Sequence, residues 1–238
     1  MKIIIKIGTA AIFDSGKKKV KEKILKKLAK DISQLTREGN EIIVVTSGAV
    51  GYGKKIIPGN EKMGLKQAQA AVGQIKLMEK YSLIFSKYHL QVAQFLLNSK
   101  DLNEKNRIDN LKETYKNLMG KAIPIVNEND VTSIEELKVG DNDTLASKLL
   151  LNMDFDILVI LTEIGALIKN NRPIRKSNLF EVGNYDRMNI PSEGFGGLKS
   201  KLECSKLIVH NKKRCIIAKA EDSIIDILNG KTISTEFI

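Results

Sequence analysis

Ile3-Ile4-Ile5-Lys6-Ile7-Gly8 opens the chain as a short apolar run closed by glycine, the pattern of a strand buried on both faces of a parallel sheet. Val20, Ile24, Leu28, Ile32 and Leu35 follow at three- and four-residue spacing with lysines opposite them, which predicts an amphipathic helix stopped at Gly39. Glu41 to Thr46 (EIIVVT) repeats the buried-strand pattern and runs straight into Ser47-Gly48. The same alternation continues along the chain. A helix is predicted from about Leu65 to Phe85, with a small-residue face of Ala68, Ala71 and Ile75. A strand follows over Leu90–Leu97, a helix over Asn110–Met119 and a strand over Ala122–Val126. Residues 131–140 read as a hairpin or irregular excursion. Then come a helix from Asp141 to Leu150, a strand over Asp156–Leu161, and a late helix marked by Leu198, Leu202, Ser205 and Val209. A strand over Arg214–Ala218 and a short helix over Ser223–Leu228 complete the pattern. Strand–helix–strand order of this kind implies an α/β fold with a mostly parallel central sheet and helices on both faces. Ligands of such sheets sit beyond the carboxyl ends of the strands.

Composition narrows the function classes. Hydrophobic residues make up 42% and charged residues 28%, with 17 Gly and 4 Pro, which excludes disordered, collagen-like and disulfide-scaffold chains. Two cysteines, Cys204 and Cys215, form no framework, and so few point to a reducing, cytoplasmic compartment. No apolar run reaches the ~20 residues of a membrane helix. The net charge of +11 invites a nucleic-acid reading. However, 33 of the 39 basic residues are Lys, and aromatic residues are only 5% of the chain. Nucleic-acid readers rely on Arg forks and stacking rings, so a solvated lysine surface is the simpler account and no nucleic-acid partner is expected.

Polar residues gather where strands end. Gly48-Ala49-Val50-Gly51-Tyr52-Gly53-Lys54-Lys55 follows a strand and matches a phosphate-binding P-loop up to its last position. There Lys55 replaces the hydroxyl that holds magnesium, so the motif lacks a working part. Its glycines remain able to let backbone approach a ligand. Lys6 is either a snorkelling strand residue or a cation aimed at a phosphate. Gly140-Asp141-Asn142-Asp143-Thr144 is either a plain helix cap or a cluster of ligand groups. Gly194-Phe195-Gly196-Gly197-Leu198-Lys199-Ser200-Lys201 reads as a loop opening a helix, whose free N–H groups offer an anion site. His89 and His210 belong to no metal-ligand motif, so no protein metal site is expected.

In this order the segments resemble the amino acid kinase family. The matching stretches are Lys6-Ile7-Gly8-Thr9, Val45-Thr46-Ser47-Gly48-Ala49-Val50, Gln69-Ala70-Ala71-Val72-Gly73-Gln74 and Ile123-Pro124-Ile125-Val126-Asn127-Glu128-Asn129-Asp130. They continue with Val139-Gly140-Asp141-Asn142-Asp143-Thr144-Leu145, Leu161-Thr162-Glu163 and Gly196-Gly197-Leu198-Lys199-Ser200-Lys201. The Asn127–Asp130 and Gly140–Asp143 segments are most similar to the family's glutamate-phosphorylating members.

That resemblance implies an αβα sandwich of the amino acid kinase type. Residues 1–238 would form one kinase domain, with a glutamate-binding lobe over 1–150, a nucleotide-binding lobe over 151–238 and no further C-terminal RNA-binding-like domain. ATP, accompanied by Mg2+, would phosphorylate the side-chain carboxylate of L-glutamate, the first step toward proline. Lys6 and Lys201 would flank the transferring phosphoryl group, with Asp143 between them. Ser47, Asp130 and Asn142 would bind glutamate, Asp130 its ammonium and the other two its carboxylates. Thr162, Glu163 and Phe195, Gly196, Gly197, Leu198, Lys199, Ser200 and Lys201 would hold nucleotide, joined by Lys6. A homo-oligomer is expected.

The chemistry fits the absence of a catalytic histidine. A glutamate carboxylate, with a pKa near ~4.3, is already ionised at neutral pH and needs no general base. Glu163 stands where the family has Asp, Phe195 where it has Thr, and Gly165–Asn171 lacks the usual Asp-Gly-Leu-Tyr. These departures lie on the nucleotide side. Acetylglutamate or uridylate kinase activity, and a catalytically weak amino-acid sensor, are the alternatives.

Overall fold

The computed structural model of the chain describes residues 1–14, 16, 19–59, 62–98, 100–132, 141–163, 165–169, 172–177 and 195–238. β1 (Lys2–Ile7) leads through a one-turn helix α1 (Thr9–Ile12) and a small hairpin, β2 (Phe13–Asp14) and β3 (Lys19–Val20), to α2 (Glu22–Arg37). β4 (Glu41–Val45) is followed by α3 (Ala49–Ile56) and α4 (Met63–Ser86), then β5 (Val92–Leu97), α5 (Lys105–Leu118), β6 (Ile123–Glu128), α6 (Asp141–Asn152) and β7 (Ile157–Thr162). After the short strands β8 (Ile168–Lys169), β9 (Arg172–Pro173) and β10 (Lys176–Ser177) come α7 (Phe195–His210), β11 (Arg214–Lys219), α8 (Ile224–Leu228) and β12 (Thr235–Phe237).

Among the described residues, eight strands form one sheet in the order β10-β12-β11-β7-β1-β4-β6-β5. Pairing is parallel from β11 through β5, and β12 runs antiparallel to β11. The expected mostly parallel sheet between helical layers is thus the observed one. β1 sits at its centre, which is why its sequence is apolar on both faces. Ile3, Ile5 and Ile7 turn toward α2, α4 and α8, packing with Leu25, Leu28, Ile32, Tyr81, Phe85, Ile224 and Ile227. Ile4 turns the other way, toward Leu145 and Leu149 of α6 and Leu202 and Ile208 of α7. Side chains alternate along a strand, so Lys6 shares the face of Ile4. It therefore emerges beside α6 and α7 at the carboxyl end of the central strand.

The glycine-rich Gly48–Lys55 segment, which lacks the last hydroxyl of a phosphate loop, folds into α3, packed along α4. Gly48 takes a left-handed backbone (φ 106°) to make the turn out of β4. A Cβ at Gly53 would lie 1.8 Å from the Gln69 carbonyl oxygen, and one at Gly73 would lie 1.8 Å from that of Ala49. The missing side chains let two helix backbones touch. Helix α4 is longer than expected at its start, and its Ala68, Ala71 and Ile75 face is exposed; Ala70 and Gly73 are the small residues it buries. Residues 133–140, which carry most of the expected excursion, and Gly194 lie outside the described residues. No helix among the described residues is long and apolar enough to cross a membrane.

Candidate active site

Three elements converge on Asp143. Lys6 projects from the end of β1, Asp143 from the first turn of α6, and Lys201 from the second turn of α7. Lys6 Nζ lies 2.5 Å from Asp143 Oδ1, and Lys201 Nζ lies 3.1 Å from Oδ2. Ser200 Oγ donates a third contact to Oδ2 at 2.9 Å. Asp143 and Lys6 are only 1% and 5% exposed. Two ammonium groups thus meet at one carboxylate in a buried setting, a grouping of cations that can face an anion.

The ionisation states follow from the packing. Burial pushes the Lys6 ammonium below the usual lysine value; Asp143 pulls the other way, and Lys201 adds to the lowering. Burial alone would raise Asp143, but Lys6 and Lys201 outweigh it and hold the carboxyl below its usual range. Cys204, one turn beyond Lys201, is pushed up to about 11, first by burial and then by Asp143, so its thiol stays neutral. Cys215 is raised by burial to about 12.

A second polar cluster lies at the carboxyl ends of β4 and β6. Asn142 Nδ2 donates to the Thr46 carbonyl oxygen (3.0 Å), Ser47 Oγ (2.9 Å) and Asn127 Oδ1 (3.1 Å). Asn127 Nδ2 donates to Gln74 Oε1 of α4 at 2.8 Å, and Tyr81 OH donates to Thr46 Oγ1 at 2.8 Å. Ser47 and Asn142 are thus brought into contact. Asp130 sits half-buried in the turn just beyond β6, at the same end of the sheet. Gln74, Asn127 and Thr46 lie in the matching stretches but were given no role from sequence, and Ser200, expected to hold nucleotide, instead donates to Asp143. The signal for the first was two glutamines, Gln69 and Gln74, in a helix face otherwise of Ala, Gly, Leu, Ile, Tyr and Phe.

The nucleotide-side residues are more dispersed. Thr162 ends β7, and its Oγ1 accepts from the Gly165 amide at 2.9 Å, bracing the following turn. Glu163 Oε1 pairs with Lys21 Nζ at 2.5 Å, and Lys21 also donates to the Ala10 carbonyl at 2.8 Å. Residues 195–201 are not a loop: α7 begins at Phe195, so Gly196 and Gly197 lie in its first turn. Leu198 packs against the core, Lys199 is exposed, and Ser200 and Lys201 turn to Asp143. The side chain of Phe195 lies outside the described residues. Among those residues no three His, Cys, Asp or Glu side chains gather as a metal cluster.

An α/β sheet carrying a buried Lys–Asp–Lys unit at the carboxyl ends of its central strands defines the architecture of a phosphate-handling protein. The amino acid kinase family model matches residues 1–219, and the chain belongs to that family. It is 35% identical to the glutamate 5-kinase of Dictyoglomus turgidum, across 99% of this chain and 67% of that protein. To the glutamate 5-kinase of Aquifex aeolicus it is 37% identical, across 100% of this chain and 68% of that protein. The chain thus spans about two thirds of the length of these curated relatives. Among solved structures it is similar to a Giardia carbamate kinase, with a TM-score of 0.70 at 17% identity over 100% of this chain and 98% of that one, a likeness of fold.

Proposed function

We infer that the chain transfers the γ-phosphoryl group of ATP to the side-chain carboxylate of L-glutamate, giving L-glutamyl 5-phosphate, the first step toward proline. The observation that carries this is Asp143 held between two buried-to-half-buried ammonium groups, with neither histidine part of that contact set. An ionised carboxylate needs no base to attack phosphorus, so positioning and charge neutralisation remain as the protein's work. Lys6 and Lys201 flank the transferring group and stabilise its charge, and Asp143 fixes the direction of both. The similarity to glutamate 5-kinases supports the acceptor.

Ser47, Asp130 and Asn142 line the glutamate end, within the lobe over 1–150. Lys6, Thr162, Glu163 and the 195–201 segment line the nucleotide end, within 151–238 apart from Lys6. Magnesium arrives on the nucleotide phosphates, which with water can complete its shell without a protein cage. The setting is cytoplasmic. A homo-oligomer is consistent with the exposed Ile75 and Leu83 on α4.

A coupled ADP-release assay with L-glutamate, N-acetylglutamate and UMP in parallel tests the reading. Turnover with L-glutamate alone is expected. Turnover only with one of the others would move the chain to that activity, and L-glutamate binding without turnover would make it a sensor.

A further inference from the structure

We propose that Gln74 is a positioning residue that sets the polarity of the substrate site, turning the carbonyl oxygen of Asn142 toward the ammonium group of the bound amino acid. The proposal rests on the amino-acid site proposed above and adds a residue from α4 that does not itself touch substrate.

Three amides are chained in one direction. The Thr46 carbonyl oxygen can only accept, so the Asn142 amide must present its nitrogen there, as it does at 3.0 Å. Ser47 Oγ and Asn127 Oδ1 lie against the same nitrogen. Asn142 Oδ1 is therefore left over, buried and with no partner among the described residues. Asn127 can offer its oxygen to Asn142 only if its own nitrogen is satisfied elsewhere. Gln74 Oε1 satisfies it at 2.8 Å, in a buried setting. Were Gln74 reversed, its nitrogen would face that of Asn127. Reversing Asn127 as well would bring its nitrogen against that of Asn142. Each reversal sets donor against donor in the interior, whereas the observed direction leaves one buried donor, Gln74 Nε2, without a partner among the described residues, at the end of the run away from Asn142.

The chain thus begins at a helix whose backbone is locked against α3 at Gly53 and Gly73 and ends at a free acceptor. An acceptor suits an ammonium group and repels a carboxylate. This assigns Asn142 to the amino end of the ligand, in place of the carboxylate contact expected from resemblance. A buried acceptor at that point also discriminates: a diacid lacking the amino group leaves Asn142 Oδ1 unpaired.

The experiment compares L-glutamate with glutarate, the same five-carbon diacid without the amino group, by calorimetric binding to the wild type, Gln74→Met and Asn127→Leu. Methionine is unbranched and of similar size, so it keeps the helix and the packing while removing the acceptor. The wild type is expected to favour L-glutamate. In Gln74→Met the ratio of the two Kd values should shrink about ten-fold or more, since Asn127 can then turn its nitrogen toward Asn142 and compete with the Thr46 carbonyl for the direction of that amide. In Asn127→Leu, which keeps Thr46 and removes the competitor, the ratio should stay near wild type. Simple loss of packing would weaken both ligands alike and leave the ratio in place. A ratio within about two-fold of wild type in folded Gln74→Met overturns the proposal, as does a wild type that binds both diacids equally. Turnover is read separately. A wild type that binds L-glutamate with the expected preference but does not phosphorylate it refutes the kinase reading and leaves this assignment supported.

Discussion

Lys6 Nζ and Asp143 Oδ1, far apart along the chain but both within the proposed 1–150 lobe, lie 2.5 Å apart with both side chains almost wholly buried. Strand alternation brings Lys6 to the α6 side, and the first turn of α6 meets it with a carboxylate. An ion pair so desolvated contributes little net stability, because the desolvation cost opposes the attraction. Its value here is the placement of a charge.

Removing either ammonium group tests that placement. Lys6→Ala and Lys201→Ala should each lower kcat by ~10²–10³, comparable to losing an oxyanion-hole donor. The KM for L-glutamate should move far less. Steady-state kinetics of the two variants check this, and activity within a few-fold of wild type in both would refute the assignment.

The neighbours Asn142 and Asp143 face different partners, so their variants should separate. Asp143→Asn loses the charge that aligns Lys6 and Lys201 and should chiefly lower kcat. Asn142→Ala loses contacts made in ground and transition states alike and should chiefly raise the KM for L-glutamate. The reverse split would exchange their roles.

Much of this was legible in the sequence. The run Ile3–Gly8 marked a buried parallel strand; that it is central, with Lys6 opposite Ile3, Ile5 and Ile7, came with the sheet order and packing. Lys6, Asp143 and Lys201, each tied to a glycine-flanked segment, proved to be in contact. What failed to show was tertiary. Helix α3 contains Gly51 and Gly53, poor helix formers, so local propensity pointed to a loop; contact with α4 is what makes glycine the fitting residue. Helix α5 begins at Lys105, ahead of the expected Asn110, because its first turn is polar and carries no apolar period. β12 has three residues and is defined by its partner β11, a pairing that no periodicity reveals.

The α3–α4 contact makes its own prediction. Gly53→Ala places a Cβ against the Gln69 backbone, which cannot turn aside as a flexible side chain would. Overpacking of this kind costs about 1–3 kcal/mol. For a chain of this size that lowers Tm by roughly 2–4 °C per kcal/mol. Gly64→Ala, at a position of α4 where nothing lies within 4 Å, should leave Tm unchanged or raise it. Thermal unfolding of the two variants gives the comparison, and equal Tm values would remove the packing argument.

On the nucleotide side, Lys21 neutralises Glu163 close to where the triphosphate is proposed to lie. Lys21→Met should leave that carboxylate unopposed and raise the KM for ATP. Glu163→Gln should lower it or leave it unchanged. The pair is substantially exposed, so each shift should stay below about five-fold and shrink at high salt. ATP kinetics at two ionic strengths measure it, and shifts of the same sign in both variants would exclude the electrostatic account.

If Lys6 carries the charge proposed for it at the phosphoryl group, its ionisation sets the alkaline limit of activity. Its ammonium is held below the ordinary lysine value of 10.5, chiefly by burial. As pH rises, the proton is therefore lost earlier than from an exposed lysine, and the charge needed at the phosphoryl group goes with it. The kcat profile should fall on its alkaline limb below pH 10.5. Asp143 works in the opposite sense. Its pKa is lowered from 3.8, so it stays ionised through neutral pH, and the stability it contributes above that value is lost as pH falls through its lower folded value. Lys6→Arg separates the two limbs. A guanidinium, with a pKa above ~12, keeps its charge through the alkaline range, so whatever activity the variant retains should persist to higher pH while the acid limb stays put. An alkaline limb at the same pH in wild type and Lys6→Arg would show that another group controls it.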